Sequence, residues 1–417
     1  MKAVISIPEL GGPVSEQQAT EMLMRPVAGV PLLMRTVLTA VRTGASDILL
    51  LVPSAMSERS LLRLLEKVSQ QGVRIELTQI SEFDPQAWSS WIILKRQLKG
   101  EFLWLPWNWI TTKNFLSQVP LVDIDSVDWS KAAYTTLHEL DRNRASALSP
   151  RSTEGIAVTS PESAVAAERF LIAKSGKVSD GIHTSFNRWL CRPFVRLLSH
   201  TAVTPNAVTF GGVVVSIVSA IAFARGTYLW SVLGAFLFYI AGLFDEMDGM
   251  LARIKFLESP RGTWLEGMAD GLSYLLLFGG ITIGLRRQYG QIAVWMGIAL
   301  LIGSVLALIA TSLQRRRATN PDRPHDYLGR IYQLLEKDSR NWISRVVRQV
   351  QGFQRRGILI HYIVLFTLIG ALPLVFVLAT LGAHLTWILT LYFNRRFFSQ
   401  SSRSEAKPTV STLEEAL

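Results

Sequence analysis

Apolar and polar positions follow two different rhythms along this chain. Up to about residue 160, short apolar runs are separated by segments whose apolar residues recur at helical spacing. Ala3–Ile7, Ile48–Val52, Arg74–Thr78, Phe102–Leu105 and Ile156–Thr159 read as buried strands, and Pro31–Thr43, Glu58–Gln70 and Trp88–Leu98 as helices. Such alternation predicts a mostly parallel sheet with helices on both faces. From residue 207 the rhythm becomes one of long apolar runs, Ala207–Ala224, Leu229–Phe244, Leu272–Leu285 with the segment before it, and Ile292–Leu313. Their lengths approach the roughly 17–25 residues that cross a bilayer. A last run, Ile358–Phe393, is too long for one span and reads as two helices with a tight turn around Pro373 or Gly382. The fold class expected is therefore an α/β N-terminal domain plus an all-α membrane domain of six transmembrane helices. Its boundaries fall at 1–165 for the α/β domain, 166–206 for a linker with an interfacial amphipathic helix, 207–396 for the membrane domain, and 397–417 for a Ser-rich tail expected to be disordered.

Composition sharpens this picture. With 49% hydrophobic residues and a net charge of +11 over 417 residues, the chain is neither an ordinary soluble enzyme nor a disordered one. Eleven Lys and Arg lie between residues 314 and 356, three more at Arg253, Lys255 and Arg261, and two at Arg395 and Arg396. Six spans put all of these on the side of the N-terminal domain, so both termini are expected in the cytoplasm. Arg286 and Arg287 fall on the opposite side. The cationic segment reads as a topology signal or as a contact for anionic headgroups. Arg188, Arg192 and Arg196 share a helix face, with Phe186, Leu190, Phe194 and Leu197 on the apolar side. This suits a helix in the interface with its cations toward headgroups, or a plain amphipathic linker. The single cysteine, Cys191, excludes an intramolecular disulfide framework. No cleaved secretory signal is expected at the N-terminus, and no nucleic-acid motif is present.

Carboxylates at membrane depth carry the chemistry. The second span runs into Asp245-Glu246-Met247-Asp248-Gly249-Met250-Leu251-Ala252-Arg253, and the third begins at Gly262 and includes Glu266 and Asp270. Charge at this depth costs a few kcal/mol per group and marks function. Asp245 and Asp248 are three apart, Glu266 and Asp270 four apart, so each pair projects from one face of its helix. Two antiparallel helices then present four anions to one point, which demands a cation: Mg²⁺, Mn²⁺ or Ca²⁺, as one ion or two. Gly249 and Gly262 leave room for a bulky ligand, and Arg253 suits a phosphate.

The whole set, Asp245, Asp248, Gly249, Ala252, Arg253, Gly262, Glu266 and Asp270, resembles the signature of the CDP-alcohol phosphatidyltransferase family, D-x2-D-G-x2-A-R-x8-G-x3-D-x3-D, with every spacing kept. The Thr204-Pro205-Asn206 approach to the first span and the Asn187-Arg188 helix are similar too. The resemblance implies six transmembrane helices in a homodimer, in a bacterial or archaeal membrane. It implies transfer of a phospho-alcohol group, phosphatidyl or phosphoinositol in type, from a CDP-linked donor to an alcohol or polyol-phosphate acceptor, with release of CMP. By the same resemblance Asp245, Asp248, Glu266 and Asp270 ligate two Mg²⁺ or Mn²⁺ ions, Asp270 is the general base, and Gly249, Ala252, Arg253 and Gly262 cradle the CDP moiety. Glu266 departs from the family's aspartate and lengthens that arm by a methylene. The stretches Ala28–Arg35 and Gly44–Ile48 resemble sugar-phosphate nucleotidyltransferases, a fusion similar to the bifunctional inositol-1-phosphate cytidylyltransferase/CDP-inositol transferase arrangement. The tools of that chemistry are missing. The first loop, Pro8–Pro13, has no basic residue, Pro106-Trp107-Asn108-Trp109 stands where a metal-binding aspartate is expected, and Asp123 and Asp125 lie off the usual path. A degenerate domain with a scaffolding, dimerisation or regulatory role is the reading adopted. The alternatives are a true bifunctional enzyme and a membrane scaffold disabled by Glu266. His361 and His384 are expected to be packing histidines.

Overall fold

The computed structural model describes residues 1–7, 16–53, 58–70, 72–80, 94, 97–98, 100–119, 121–123, 155–176, 182–318, 327–338, 341–350 and 356–398. The helix expected over Trp88–Leu98, the Pro8–Pro13 loop, Asp125 and the tail lie wholly or mostly outside them. The chain divides into two compact units, and sequence order does not divide them. One is Met1–Lys177 with Arg192–Ala202 and Met250–Leu257; the other is Val178–Cys191, Val203–Gly249 and Glu258–Leu417.

In the first unit, β1 (Lys2–Ser6), β4 (Asp47–Val52), β5 (Arg74–Gln79) and β6 (Glu101–Pro106) form a parallel sheet in the order β5-β4-β1-β6, extended by the antiparallel β8 (Val122–Asp123). Each parallel strand follows the sequence expectation to within a residue or two. Consecutive apolar residues in β1 and β4 are buried, as in a sheet covered on both faces. Between β1 and β4 come α1 (Glu16–Met24), α2 (Leu32–Arg42) and a two-stranded ribbon of β2 (Pro26–Val27) and β3 (Val30–Pro31). Its turn places Ala28 at φ 48 and Gly29 at φ 76, and a Cβ on Gly29 would sit 2.0 Å from the Ser199 carbonyl oxygen. Arg35 of α2 is buried and donates to the Val27 carbonyl from Nε at 3.1 Å and Nη2 at 2.7 Å. Burial pulls its guanidinium down to about 9, which leaves it charged at neutral pH. Further along the chain, α3 (Glu58–Ser69), β7 (Trp109–Thr111), α4 (Lys113–Leu116), β9 (Gly155–Ala157), antiparallel to β7, and α5 (Pro161–Lys174) complete the domain. Asp123 lies opposite Glu101 in β8.

α6 (Ile182–Ser199) contributes to both units, and it corrects the expectation of cations facing headgroups. Arg188 is buried on Glu246 and Arg196 donates to Glu168, while Phe186, Trp189, Phe194 and Leu197 are exposed. A buried carboxylate holds a nearby guanidinium more strongly than water does, so the apolar side turns outward, where lipid can cover it.

The second unit contains α7 (Pro205–Ala224), α8 (Tyr228–Lys255), α9 (Pro260–Tyr289), α10 (Gln291–Ala318), α11 (Tyr327–Lys337), α12 (Trp342–Val350), α13 (Arg356–Leu368) and α14 (Leu372–Phe398), with the last turns of α8 belonging to the first unit. Among the described residues five of these, α7, α8, α9, α10 and α14, are long and apolar enough to cross a membrane, which makes the chain an integral membrane protein. The sixth predicted span differs. α13 has 13 residues, of which Leu359–Leu368 are apolar, about 20 Å of helix against a hydrocarbon thickness near 30 Å. The break falls at Ile369–Ala371, with Gly370 at φ 73, just before Pro373, and Gly382 lies inside α14. At 28 residues α8 is about 42 Å long, and its surplus length carries the acidic motif as continuous helix. α7 and α9 pack backbone to backbone: a Cβ on Gly280 would meet the Ala220 carbonyl oxygen at 2.4 Å and one on Gly284 the Phe223 oxygen at 2.2 Å. Arg287 donates to the Arg225 carbonyl at 2.8 Å, so this off-pattern cation satisfies a helix end. His384 is a packing residue: Nε2 donates to the Ala299 carbonyl at 2.9 Å and Nδ1 accepts from Trp387 at 3.1 Å.

Asp338, after α11, ties the C-terminal helices together. Its two oxygens accept from Arg396 at 2.7 Å each, and Oδ2 also accepts from Ser344 at 2.7 Å. The Arg396 hydrogen bonds, with Ser344 adding to them, hold this carboxyl down to about 2, from an ordinary 3.8. A depressed carboxylate stabilises the fold above its unfolded value and loses that contribution as pH falls through the folded one. The expected outcome is a stability loss between about pH 4 and pH 2 that Asp338→Asn lacks, worth no more than ~1 kcal/mol because Arg396 is 44% exposed. Thermal unfolding of both proteins across that range checks it.

Candidate active site

Helix α8 orients its acids by periodicity. Asp245 and Asp248 lie on one stripe, half-buried and buried, and Glu246 is turned about 100° away. Its partner α9 starts cleanly because Ser259 caps it, the Ser259 Oγ accepting from the Gly262 N–H at 3.0 Å with Pro260 in the first turn. Asp270 and Ser273 follow two to three turns later.

Within the second unit these helices enclose a cavity of about 70 Å³ with α6, α7 and α13. Asp245, Asp248 and Asp270 all line it, together with Glu246, Asn187, Thr209, Ser216, Ser273 and Tyr274. Four of the lining residues are carboxylates and none is cationic. Glu266 is not among them, although it lies within electrostatic reach of Asp248, as does Asp245. Among the described residues no three His, Cys, Asp or Glu are drawn together tightly enough to form a closed ligand set. The structure thus brings three of the four predicted acids to one cavity and leaves Glu266 about one turn further out on α9.

The neighbours hold these acids in different ways. Thr209 of α7 donates to Asp248 Oδ2, and Ser216 Oγ donates to Ser273 Oγ at 3.0 Å, joining α7 to α9. Arg188 Nε reaches Glu246 Oε2 at 2.9 Å with both side chains mostly buried, so Glu246 is neutralised from within the protein. Asn187 is fully buried and accepts from the Tyr239 hydroxyl at 2.9 Å. Sequence reasoning assigned no role to Glu246, Thr209, Ser216, Ser273, Tyr239 or Tyr274. The adjacency of Asn187-Arg188 in an otherwise amphipathic helix was the available signal for the α6 contribution. Cys191 donates to the Leu243 carbonyl at 3.5 Å, and burial, with the Glu246 charge, pushes its thiol up to about 12.

The residues expected to cradle a nucleotide separate between the units. Gly249 and Gly262 belong to the second unit, whereas Ala252 and Arg253 belong to the first. There Arg253 Nε donates to the Ser175 carbonyl at 2.6 Å.

Residues 202–392 fit the family model described as CDP-alcohol phosphatidyltransferase. Among curated proteins, the chain is similar to one named "Bifunctional IPC transferase and DIPP synthase" from Aquifex aeolicus (strain VF5), 25% identical over 239 residues. That alignment covers 56% of this chain and 49% of the relative, so the chain spans about half the length of the curated protein it matches.

The Arg188–Glu246 pair makes a direct prediction. Arg188→Ala strands a buried carboxylate and is expected to cost about 3 kcal/mol, whereas Arg188→Met with Glu246→Leu costs much less. Unfolding of the purified single and double variants measures the difference. Equal losses would mean that the pair carries no buried charge.

Proposed function

We propose that this chain is an integral-membrane CDP-alcohol phosphotransferase that moves a phosphatidyl- or phosphoinositol-type group from a CDP-linked donor to an acceptor hydroxyl and releases CMP. The observation that carries the reading is the convergence of Asp245, Asp248 and Asp270 from two helices on one cavity with no cation in its lining. Such an anionic lining in an apolar bundle calls for a bound cation. The donor set is all carboxylate and fits a hard divalent ion. The family is generally divalent-metal dependent. We read Asp245, Asp248, Glu266 and Asp270 as the residues that hold Mg²⁺ or Mn²⁺, as two ions. When bound, such ions supply charge neutralisation for the pyrophosphate and for departing CMP.

The chain's own residues do the rest. Asp270 takes the proton of the acceptor hydroxyl as it attacks the phosphorus of the donor, and the bond to CMP breaks. Gly249, Ala252 and Gly262 leave space along two helices for the CDP moiety, and Arg253 binds its phosphate. Glu246 stays paired with Arg188 and takes no part in proton transfer.

The catalytic domain is read as residues 207–396 and the α/β domain as residues 1–165. α13 serves as a sixth, short membrane segment, which leaves both termini on the cytoplasmic side, with Arg286 and Arg287 opposite. Membrane lipids and a second copy of the chain are the expected partners. The α/β domain is read as a scaffold, since β6 runs into Trp107-Asn108-Trp109 without a carboxylate. The relative's bifunctional name keeps cytidylyl transfer as the competing reading; no CTP binding to the full chain is the expected result, and micromolar binding would reverse it.

The deciding assay is CMP release by purified protein with Mg²⁺ or Mn²⁺, offering CDP-diacylglycerol or CDP-inositol and a panel of polyols and polyol phosphates. Acceptor-dependent release is expected, falling by about 10²–10⁴ in Asp270→Asn. Glu266→Asp is expected to lower kcat, because the site has adapted to the longer arm; a large gain would instead identify a decayed enzyme. Silence across the panel from folded protein would favour the scaffold.

A further inference from the structure

The end of α8 is built in an unusual way. The Leu257 N–H donates to the Ala252 carbonyl at 2.9 Å, and Phe256 between them has φ 60. This is the six-to-one hydrogen bond of a helix C-cap whose left-handed position ordinarily belongs to glycine. A phenylalanine there is strained, so something must hold it. Two guanidinium groups of α2 do: Arg42 lies 4.2 Å and Arg35 5.2 Å from the Phe256 ring centroid. Arg42 Nη1 also donates to the Arg253 carbonyl at 3.0 Å, placing a cation at the negative end of the helix. On the same turn Arg253 Nε is held by the Ser175 carbonyl at 2.6 Å, and Lys255 Nζ reaches the Thr201 carbonyl at 2.7 Å. All of these groups lie in the first unit, and Arg253 is five residues along the helix from Asp248.

We propose that Arg42 and Phe256 are positioning residues for donor binding: helix α2 of the α/β domain grips the end of the signature helix and sets the place of Arg253. The domain then contributes to the transferase without nucleotide chemistry of its own. A glycine at position 256 would relieve the strain and lose the grip, so the aromatic side chain is kept for its contact. This inference rests on the reading of Arg253 as a donor-phosphate ligand.

The test uses the full chain in detergent with Mg²⁺ and two readouts: hydrogen exchange of amides 250–257, and the dissociation constant of CDP by equilibrium dialysis. Arg42→Ala and Phe256→Gly are the variants, Arg253→Ala the check on the donor reading, and Arg63→Ala, on the exposed side of α3, the control. Arg42→Ala and Phe256→Gly are each expected to speed exchange at 250–257 and to weaken CDP binding about tenfold, with exchange in α7 unchanged. Arg42→Lys is expected to recover part of both effects. Unchanged exchange overturns the grip, and faster exchange with unchanged CDP affinity overturns positioning. If Arg253→Ala binds CDP as well as the unaltered chain, the donor role of Arg253 falls while exchange still decides the grip. If the unaltered chain binds no CDP, the donor reading falls and the positioning role with it.

Discussion

The cost of placing carboxylates among apolar helices governs this molecule. Four acids line one cavity in a bundle whose packed core is Phe, Leu, Ile, Val and Ala. Such charges persist only if something opposes them. Glu246 is met by Arg188 and Asp248 by the Thr209 hydroxyl. The remaining electrostatic demand is what makes the cavity a cation site in our reading. The orientation of α6 follows from the same demand: Arg188 and Arg196 meet carboxylates, while Arg192 and the aromatic side chains Phe186, Trp189 and Phe194 are exposed. The close approach of α7 and α9 at Gly280 and Gly284 lies on the same helix pair that the Ser216–Ser273 hydrogen bond joins.

The division into two units cuts across the apparent domain boundary. Arg192–Ala202 and Met250–Leu257 fold with the α/β domain although each continues a helix whose other part belongs to the membrane unit. Helix α8 therefore carries Asp245 and Asp248 in one unit and Arg253 in the other. Through Arg42 and Ser175 the α/β domain forms part of the environment of Arg253.

Much of the arrangement was legible in the residues. The strands β1, β4 and β6 announced themselves as apolar runs, and the helices of the membrane half as longer ones, because burial on both faces or in lipid leaves no polar alternation to misread; β5, expected to be buried, is instead an edge strand, RIELTQ, with no buried residue. The unequal lengths of the last two helices were not legible, for a related reason. Ile358–Phe393 is apolar throughout, and composition cannot show where a helix ends; Gly370 with positive φ divides it into 13 and 27 residues. For the cavity, spacing alone put Asp245 with Asp248 and Glu266 with Asp270, because a helix fixes which residues share a face. Spacing cannot tell how far along the neighbouring helix each acid stands, which is why Glu266 falls outside the lining while Asp270 lies within it.

By itself, then, the sequence determined the class of fold, the membrane character, and the match of residues 202–392 to the CDP-alcohol phosphatidyltransferase model, because these are properties of local pattern and of charge in apolar runs. Tertiary structure decided which partners those charges have. Arg188 and Glu246 are 58 residues apart, Thr209 and Asp248 39, and Arg42 and Arg253 211. No local rule reaches across such separations. They are set by helix packing, where a few close backbone contacts choose which side chains meet.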